Sequence, residues 1–554
     1  MTNCPTCNSN DLKKTGMKFV GSQRGRGFVC NSCGNKFAVT EEELNLQSSV
    51  TEVKEFEEVF HREADQGSKF QHELNKGLES RRFVLTCAVN NSEVNETFLR
   101  TLERYCVENG AGLIVMPVKY RNPSLLTVIV GEGEEEEFWY HPRVMKYLTN
   151  SNFKLPNQIK CLGGIMVQAT AENPLTGIDG LSKGMSVIVP HPQVSLKTLP
   201  RQIRGSEDTY PPIATTTGCV TQPQYSETKA GFKANFNHSY SAVVVEYTEG
   251  MEETFIRHLN FDGSGFYDLD SYWNVDGVVR NTNIEAIVTG DTHEFFQHKG
   301  VYKATWEKGG IVDVLMPRYI VRHDVLDFIS RTHHSEKDVF INFAKHHDKL
   351  KKSGNVEKEL EGVVNFLNET TPDWPCVNVI VDSNHHSHLR RWLNEADPKK
   401  DPENAIFYHK MMYNVLSQTR IDESGSLKSP DPFELYLKSK VAEPDSYVFL
   451  SANDSYKIMG IEVSMHGHVG VNGARGNVKA FANTPDKTIT GHSHSPVIDK
   501  GAWVVGTSCI FNMPYCKGMS TWDHAHAIIH ANGKRQMIFR SEEHTSELQS
   551  RQVI

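Results

Sequence analysis

The stretch Ile287-Val288-Thr289-Gly290-Asp291-Thr292-His293 decides how the carboxy-terminal half of the chain is read. Three β-branched residues favour a buried strand. A glycine ends it, and an acid and an imidazole follow two residues apart. The same punctuation recurs four times downstream. Tyr319-Ile320-Val321 runs into Arg322-His323-Asp324, with Asp327 three residues on. Val379-Ile380-Val381 runs into Asp382-Ser383-Asn384-His385. Met465 precedes His466-Gly467-His468, and Ile489-Thr490-Gly491 runs into His492-Ser493-His494. Open α/β sheets place their sites beyond the carboxyl ends of strands, where each of these clusters falls. Helices are expected between the strands, notably over Val325–Lys349 and Asn355–Glu369.

Carboxylate, carboxamide and imidazole donors from several strand ends suit two divalent cations about 3.5–4 Å apart, bridged by one carboxylate. No cysteine is among them, which argues against a purely structural zinc. The set suits Mn²⁺ first, with Fe or Zn²⁺ as alternatives. Each cluster alone is a weak signal. Asp324 with Asp327 at a helix start is also favourable charge near the dipole. Asn384-His385 also fits a helix cap, and His468 competes with His466. The signal is the order of all five.

That order resembles the calcineurin-like metallophosphoesterase superfamily, which includes DNA-repair nucleases. Its pattern runs Asp-x-His, Gly-Asp-x-x-Asp, Gly-Asn-His-Asp/Glu, His, Gly-His-x-His. The resemblance covers roughly residues 282–539. Gly491–His494 matches in full, and Asp291 and His293 match the first motif. Gly290–Glu294 also fits the second motif, and Asp291 is a ligand either way. His323 stands where the second motif has glycine. Ser383 precedes Asn384-His385 and His386 follows. The Gly506-Thr507-Ser508 turn resembles the family's final sheet turn. The resemblance implies a four-layer α/β sandwich, two central sheets flanked by helices. It implies one metal held by Asp291, His293, Asp324 and His494, and a second by Asp324, Asn384, His466 and His492. It further implies in-line attack of a metal-activated hydroxide on phosphorus. His385 would stabilise the transition state or protonate the leaving oxygen, and Asp327 belongs to the same catalytic group.

Toward the amino terminus, Cys4-Pro5-Thr6-Cys7 and Cys30-Asn31-Ser32-Cys33 form two knuckles. Four thiolates so spaced give a closed tetrahedral structural Zn²⁺ site, without which so short a module could hardly fold. Residues 1–38 are therefore expected to be a zinc ribbon. Gly34, Phe28 and Phe37 resemble those of nucleic-acid-binding ribbons. Lys13, Lys14, Lys18, Arg24 and Arg26 between the knuckles tilt the expectation toward phosphate contact, against protein docking as the alternative. Residues 39–80 read as an acidic helical connector. Residues 81–281 read as a separate α/β domain of unknown role. It opens with a β-α-β unit, Phe83–Thr86, Glu93–Asn109 and Leu113–Met116, which predicts a parallel pair of strands. The string RSEEHTSELQS, starting at Arg540, looks like translated sequencing adapter, so 540–554 are expected to be non-native.

The chain has 554 residues, 38% hydrophobic and 23% charged, enough for two or three domains with cores of their own. No apolar run reaches the length of a membrane span, and no secretory signal opens the sequence. A cytoplasmic setting is expected, that of the host if the gene is phage-borne. A formal charge of −9 does not advertise nucleic-acid binding, but local patches and bound cations decide the field at a site. The whole architecture also resembles the pre-early proteins with which some tailed phages destroy host DNA. The first expectation is therefore a Mn²⁺-dependent DNase, with DNA as partner, no membrane, and homo-oligomerisation left open. One alternative is a phosphatase or phosphodiesterase acting on proteins or nucleotides. Another is a DNA-binding takeover factor whose degenerate metal site only supports the fold.

Overall fold

The computed structural model describes residues 4–20, 23–40, 68–120, 139–202, 210–248, 254–331, 339–340, 343, 354–513, 516 and 518–539. Most of the expected connector, and the expected adapter-derived tail, lie outside them. The chain divides into two compact units, Met1–Ser68 with Asn150–Phe153, and Lys69–Thr149 with Lys154–Ile554.

In the first unit, strands Leu12–Val20, Gln23–Cys30 and Lys36–Thr40 form an antiparallel sheet. Phe28 stacks on Phe37, ring centroids 5.7 Å apart. The two knuckles turn alike. The N–H groups of Asn8 and Gly34 donate to the carbonyls of Cys4 and Cys30, both at 2.8 Å. Asn8 and Gly34 are left-handed, at φ 57° and 74°, a conformation that glycine and asparagine adopt most readily.

The second unit is mixed α/β with several sheets. Strands Arg82–Val89 and Gly112–Val118 pair in parallel around the helix Glu96–Glu108, as the β-α-β pattern predicts. They belong to a four-stranded sheet with Ser241–Tyr247 and Thr254–Asn260. A six-stranded sheet runs in the order Tyr447–Phe449, Val377–Ile380, Tyr319–Arg322, Ala286–Val288, Ala525–Ile529, Arg535–Phe539. The first four of these are mutually parallel, the three inner ones among them largely buried, and the last two are antiparallel. Apolar β-branched runs are what such doubly covered strands require.

A larger sheet places Ile461–Glu462, Lys487–Thr490, Ala502–Val504, Val497–Asp499, Ser195–Thr198, Ile213–Thr216 and Ser186–Val189 side by side. Leu196 pairs with Ile498, so the division expected after residue 281 runs through the middle of this sheet. Short strands between Pro and Gly turns do not say which distant strand each will join.

The helix expected over Val325–Lys349 does not form in its described first part. Residues 325–330 are irregular, because their N–H groups bond to side chains of other elements. Val325 N–H donates to His386 Nε2 at 3.2 Å, and the N–H groups of Ile329 and Ser330 donate to the Glu359 carboxylate at 2.7 and 3.0 Å. The helix Val356–Glu369, capped by Asn355, forms as expected.

Candidate metal centre

Four strand ends deliver the acids and imidazoles. Asp291 and His293 follow Ala286–Val288, and Asp324 follows Tyr319–Arg322. Both strands belong to the six-stranded sheet. His466 lies beyond Ile461–Glu462, while His492 and His494 follow Lys487–Thr490, in the larger sheet. The donor atoms of Asp291, His293 and His494 lie within 4.8 Å of one another, as do those of His293, Asp324 and His385, and those of Asp291, His323 and His466. His494 Nε2 is 3.2 Å from Asp291 Oδ2 and 2.9 Å from His293 Nε2. His466 Nε2 is 3.4 Å and His293 Nε2 3.6 Å from Asp324 Oδ2. All five side chains are buried.

The remaining expected residues stand around this core. His385 Nε2 is 3.9 Å from Asp324 Oδ2 at the partly open mouth, and its Nδ1–H donates to the Asp327 carbonyl at 2.8 Å. Asn384 opens the helix Asn384–Glu395, so the cap is Ser383 before it. The His492 ring lies 5.2 Å from that of His466, and its backbone N–H donates to Asp291 Oδ2 at 2.7 Å. His466 reaches both carboxylates, at 3.4 Å from Asp324 and 3.9 Å from Asp291, while His468 stands beside it, ring centroids 5.5 Å apart. Asp327, grouped with the catalytic residues from sequence, has both oxygens engaged behind the site. His293 Nδ1–H donates to one at 2.9 Å and Phe295 N–H to the other at 3.0 Å. Its place is that of a positioning residue, orienting the imidazole of His293.

The residues fit divalent cations on three counts. First, buried Asp291 Oδ1, Asn384 Oδ1 and His494 Nδ1 have no hydrogen-bond partner among the described residues. Leaving such a group unmet costs about 1–3 kcal/mol. Second, the two carboxylates and the rim imidazoles are held in the form that ligates, while against the downward push of burial the nearby carboxylates raise His293 and His466, whose protons a cation would displace. Against the upward push of burial, His466 and His494 bring Asp291 down to about 2, and His385, His466 and His293 hold Asp324 well below its ordinary range. Burial and the charge of His466 push His468 and His492 down to about 4. Third, His293, Asp324, His492 and His494 all have positive φ, at 45°, 48°, 71° and 57°. Such backbones cost of order 1–3 kcal/mol each and cluster at functional sites.

Two departures from the family motifs are built into the centre. Ser383 Oγ–H donates to Asp324 Oδ1 at 2.6 Å while capping the next helix. His323 is buried with its Nδ1 3.4 Å from that of His466. Burial and the charge of His466 hold it neutral, near 4. A Cβ at Gly491 would meet Asp291 Oδ1 at 2.1 Å and His323 Cγ at 3.2 Å. The glycine is therefore needed for the packing of both. The sequence shows His323 only as a missing glycine. Trp522, whose ring stands 4.3 Å from that of His494, carried no sequence signal.

In the first unit, Cys4 Sγ lies 3.5 Å from Cys33 Sγ, and Cys7 Sγ 3.5 Å from Cys30 Sγ. Tetrahedral zinc with Zn–S near 2.3 Å sets its sulfurs about 3.8 Å apart, so the four could hold a structural zinc. Backbone N–H groups lower Cys4 and Cys30 toward the thiolate that binds metal, while the neighbouring thiols raise Cys7 and Cys33 in the metal-free set.

Protein A1 of Escherichia phage T5 is 33% identical over 486 residues, covering 83% of this chain and 82% of that protein. The chain belongs to the protein A1 family. The shared length takes in most of both chains, so the likeness extends well beyond the metal-centre motifs. No protein-family model matches the chain, and no solved structure does. Among the described residues no helix is long and apolar enough to cross a membrane.

Proposed function

We propose that this protein A1 relative is a metal-dependent phosphodiesterase of the calcineurin-like type that degrades DNA, serving a phage in the takeover of its host. The observation that carries the reading is the convergence of Asp291, His293, Asp324, His466 and His494 on one buried cluster with unmet donors. Two strand-end sets facing each other from two sheets are also what a metallophosphoesterase sandwich requires. Support for DNA comes from the basic segment between the zinc knuckles; the phage relative supports only the host-takeover setting.

Two divalent cations in this cluster would activate water and neutralise charge on a phosphodiester. The chain's own residues do the rest. Asp327 fixes the His293 ring. Ser383 fixes the Asp324 carboxylate through a 2.6 Å hydrogen bond. His385, its Nδ1–H held by the Asp327 carbonyl, presents Nε2 at the mouth, where it can meet the departing oxygen. Asn384, His468 and His492 form the half-buried rim through which a phosphate would enter.

Plasmid DNA incubated with the purified chain should be degraded with Mn²⁺ and left intact with chelator. Asp324→Ala and His466→Ala should each slow degradation about a thousandfold, since a bound metal supplies several kcal/mol of charge stabilisation. Cleavage by Asp324→Ala at the parental rate would refute the assignment. Faster turnover of an aryl phosphate than of DNA would move the reading to a phosphatase. Ser383 and His323, each standing where the superfamily pattern has glycine, favour one rival, a DNA-binding factor with a vestigial centre. DNA binding that survives chelation, with no cleavage under any metal, would establish it.

A further inference from the structure

A polar cavity lies at the other end of the strand that carries His492 and His494. The strand Lys487–Thr490 ends beside His492 and starts at the wall of this cavity, with a volume of about 500 Å³. Four residues at about 3.3 Å each put the two places on the order of 13 Å apart along the strand. Lys487, Lys500, Lys534 and Arg535 line the cavity against one carboxylate, Asp486. That carboxylate already pairs with Lys457 Nζ at 3.0 Å. Lys500 reaches Glu172 at 3.5 Å. Lys487, Lys534 and Arg535 have no carboxylate within ion-pair distance among the described residues.

Arg535 is 7% exposed. Its Nη1 donates to the carbonyls of Thr488 and Gly501, both at 2.9 Å, and its guanidinium lies 4.5 Å from the Trp503 ring centre. Burial and the charge of Arg535 push Lys487 below its ordinary range. Burial and the charge of Lys487 do the same to Lys534. Four cations thus face two nearby carboxylates, Asp486 and Glu172, with Asp262 acting on Lys534 from further off, and this local excess of positive charge favours a bound anion. At the rim, Phe236 of the helix Lys229–Asn237 is 87% exposed. It offers a free aromatic face beside the cationic wall. The volume suits one small ligand.

We propose that this cavity binds a nucleoside phosphate, its phosphate between Lys487, Lys500 and Lys534 and its base against Phe236. The site is separate from the Asp/His cluster and does not depend on how that cluster is read. Stacking on an aromatic ring adds about tenfold in affinity per base, so a nucleotide should bind more tightly than inorganic phosphate.

Calorimetric titration of the full chain, without added divalent metal, tests this with a deoxynucleoside 5′-monophosphate and with inorganic phosphate. The nucleotide should bind about tenfold tighter than phosphate. Phe236→Ala should erase that advantage and leave phosphate binding unchanged. The double variant Lys487→Ala/Lys534→Ala should lose both ligands. Free of ligand it should melt no lower than the parent, because like charges have been removed. Asp324→Ala should bind as the parent does. Undiminished binding by the double variant, or no binding by the folded parent, would overturn the proposal. Loss of binding in Asp324→Ala would assign the nucleotide to the Asp/His cluster and also overturn it. A nucleotide advantage surviving Phe236→Ala would overturn the placement of the base.

Discussion

His293 shows how one side chain is prepared at this centre. Its Nε2 faces His494 and Asp324 while its Nδ1–H is held by Asp327. Asp327→Asn keeps the shape but weakens the orienting bond. Mn²⁺ affinity, read by titration, should fall about 10–100-fold while the protein stays folded. Against the downward push of burial, Asp327 and Asp324 raise His293 to about 9. In the metal-free protein this pairing stabilises the fold fully below the ordinary value of 6.5, and the gain is lost as pH climbs through about 9. A cation must displace that proton. Metal uptake at pH 7 should therefore release protons, seen as a dependence of binding heat on buffer ionisation enthalpy, and affinity should rise between pH 7 and 9. That Asp291, His293, Asp324, His466 and His494 would converge was legible because strand ends punctuated by Asp and His are rare in combination. The role of Asp327 was not, because spacing cannot say which way a carboxylate points.

At the scale of elements, the irregular segment after Asp324 depends on a helix distant in sequence. Glu359 accepts two backbone N–H groups from Ile329 and Ser330, and burial pushes its carboxyl up to about 7. The folded state thus keeps this proton longer than the unfolded chain does. The contribution is fully present below about 4.5 and is lost as pH rises through 7. The melting temperature of the parent should fall between pH 5 and 8, and Glu359→Gln should flatten that fall. An equal slope in the variant would remove Glu359 as the cause. The loop Gly491–His494 depends on a missing side chain. Gly491→Ala should lose metal binding, because its Cβ would collide with Asp291 Oδ1. Gly180→Ala, with nothing within 4 Å, should bind as the parent does. Hydrophobic periodicity found the helix Val356–Glu369, but it also predicted one over Val325–Lys349, in whose described first part side chains from elsewhere take up the backbone donors.

Across the whole molecule, the two donor sets suit different metals. Thiolates select zinc, and carboxylate with imidazole suits manganese or iron. Cys30→Ser should remove one zinc per chain from the metal analysis and leave Mn²⁺ uptake by the Asp/His cluster intact. The knuckles were readable from spacing alone. The large sheet was not, since the pairing of Leu196 with Ile498 is set by tertiary packing. The most direct test of the two-cation centre is a Mn²⁺ titration of the zinc-loaded full chain, with anomalous scattering to locate the ions. The predicted result is two ions per chain, about 3.5–4 Å apart, between Asp291, Asp324, His466 and His494, with both lost in Asp324→Ala. An Asp/His cluster that binds no cation, or binding unchanged by Asp324→Ala, would contradict the account.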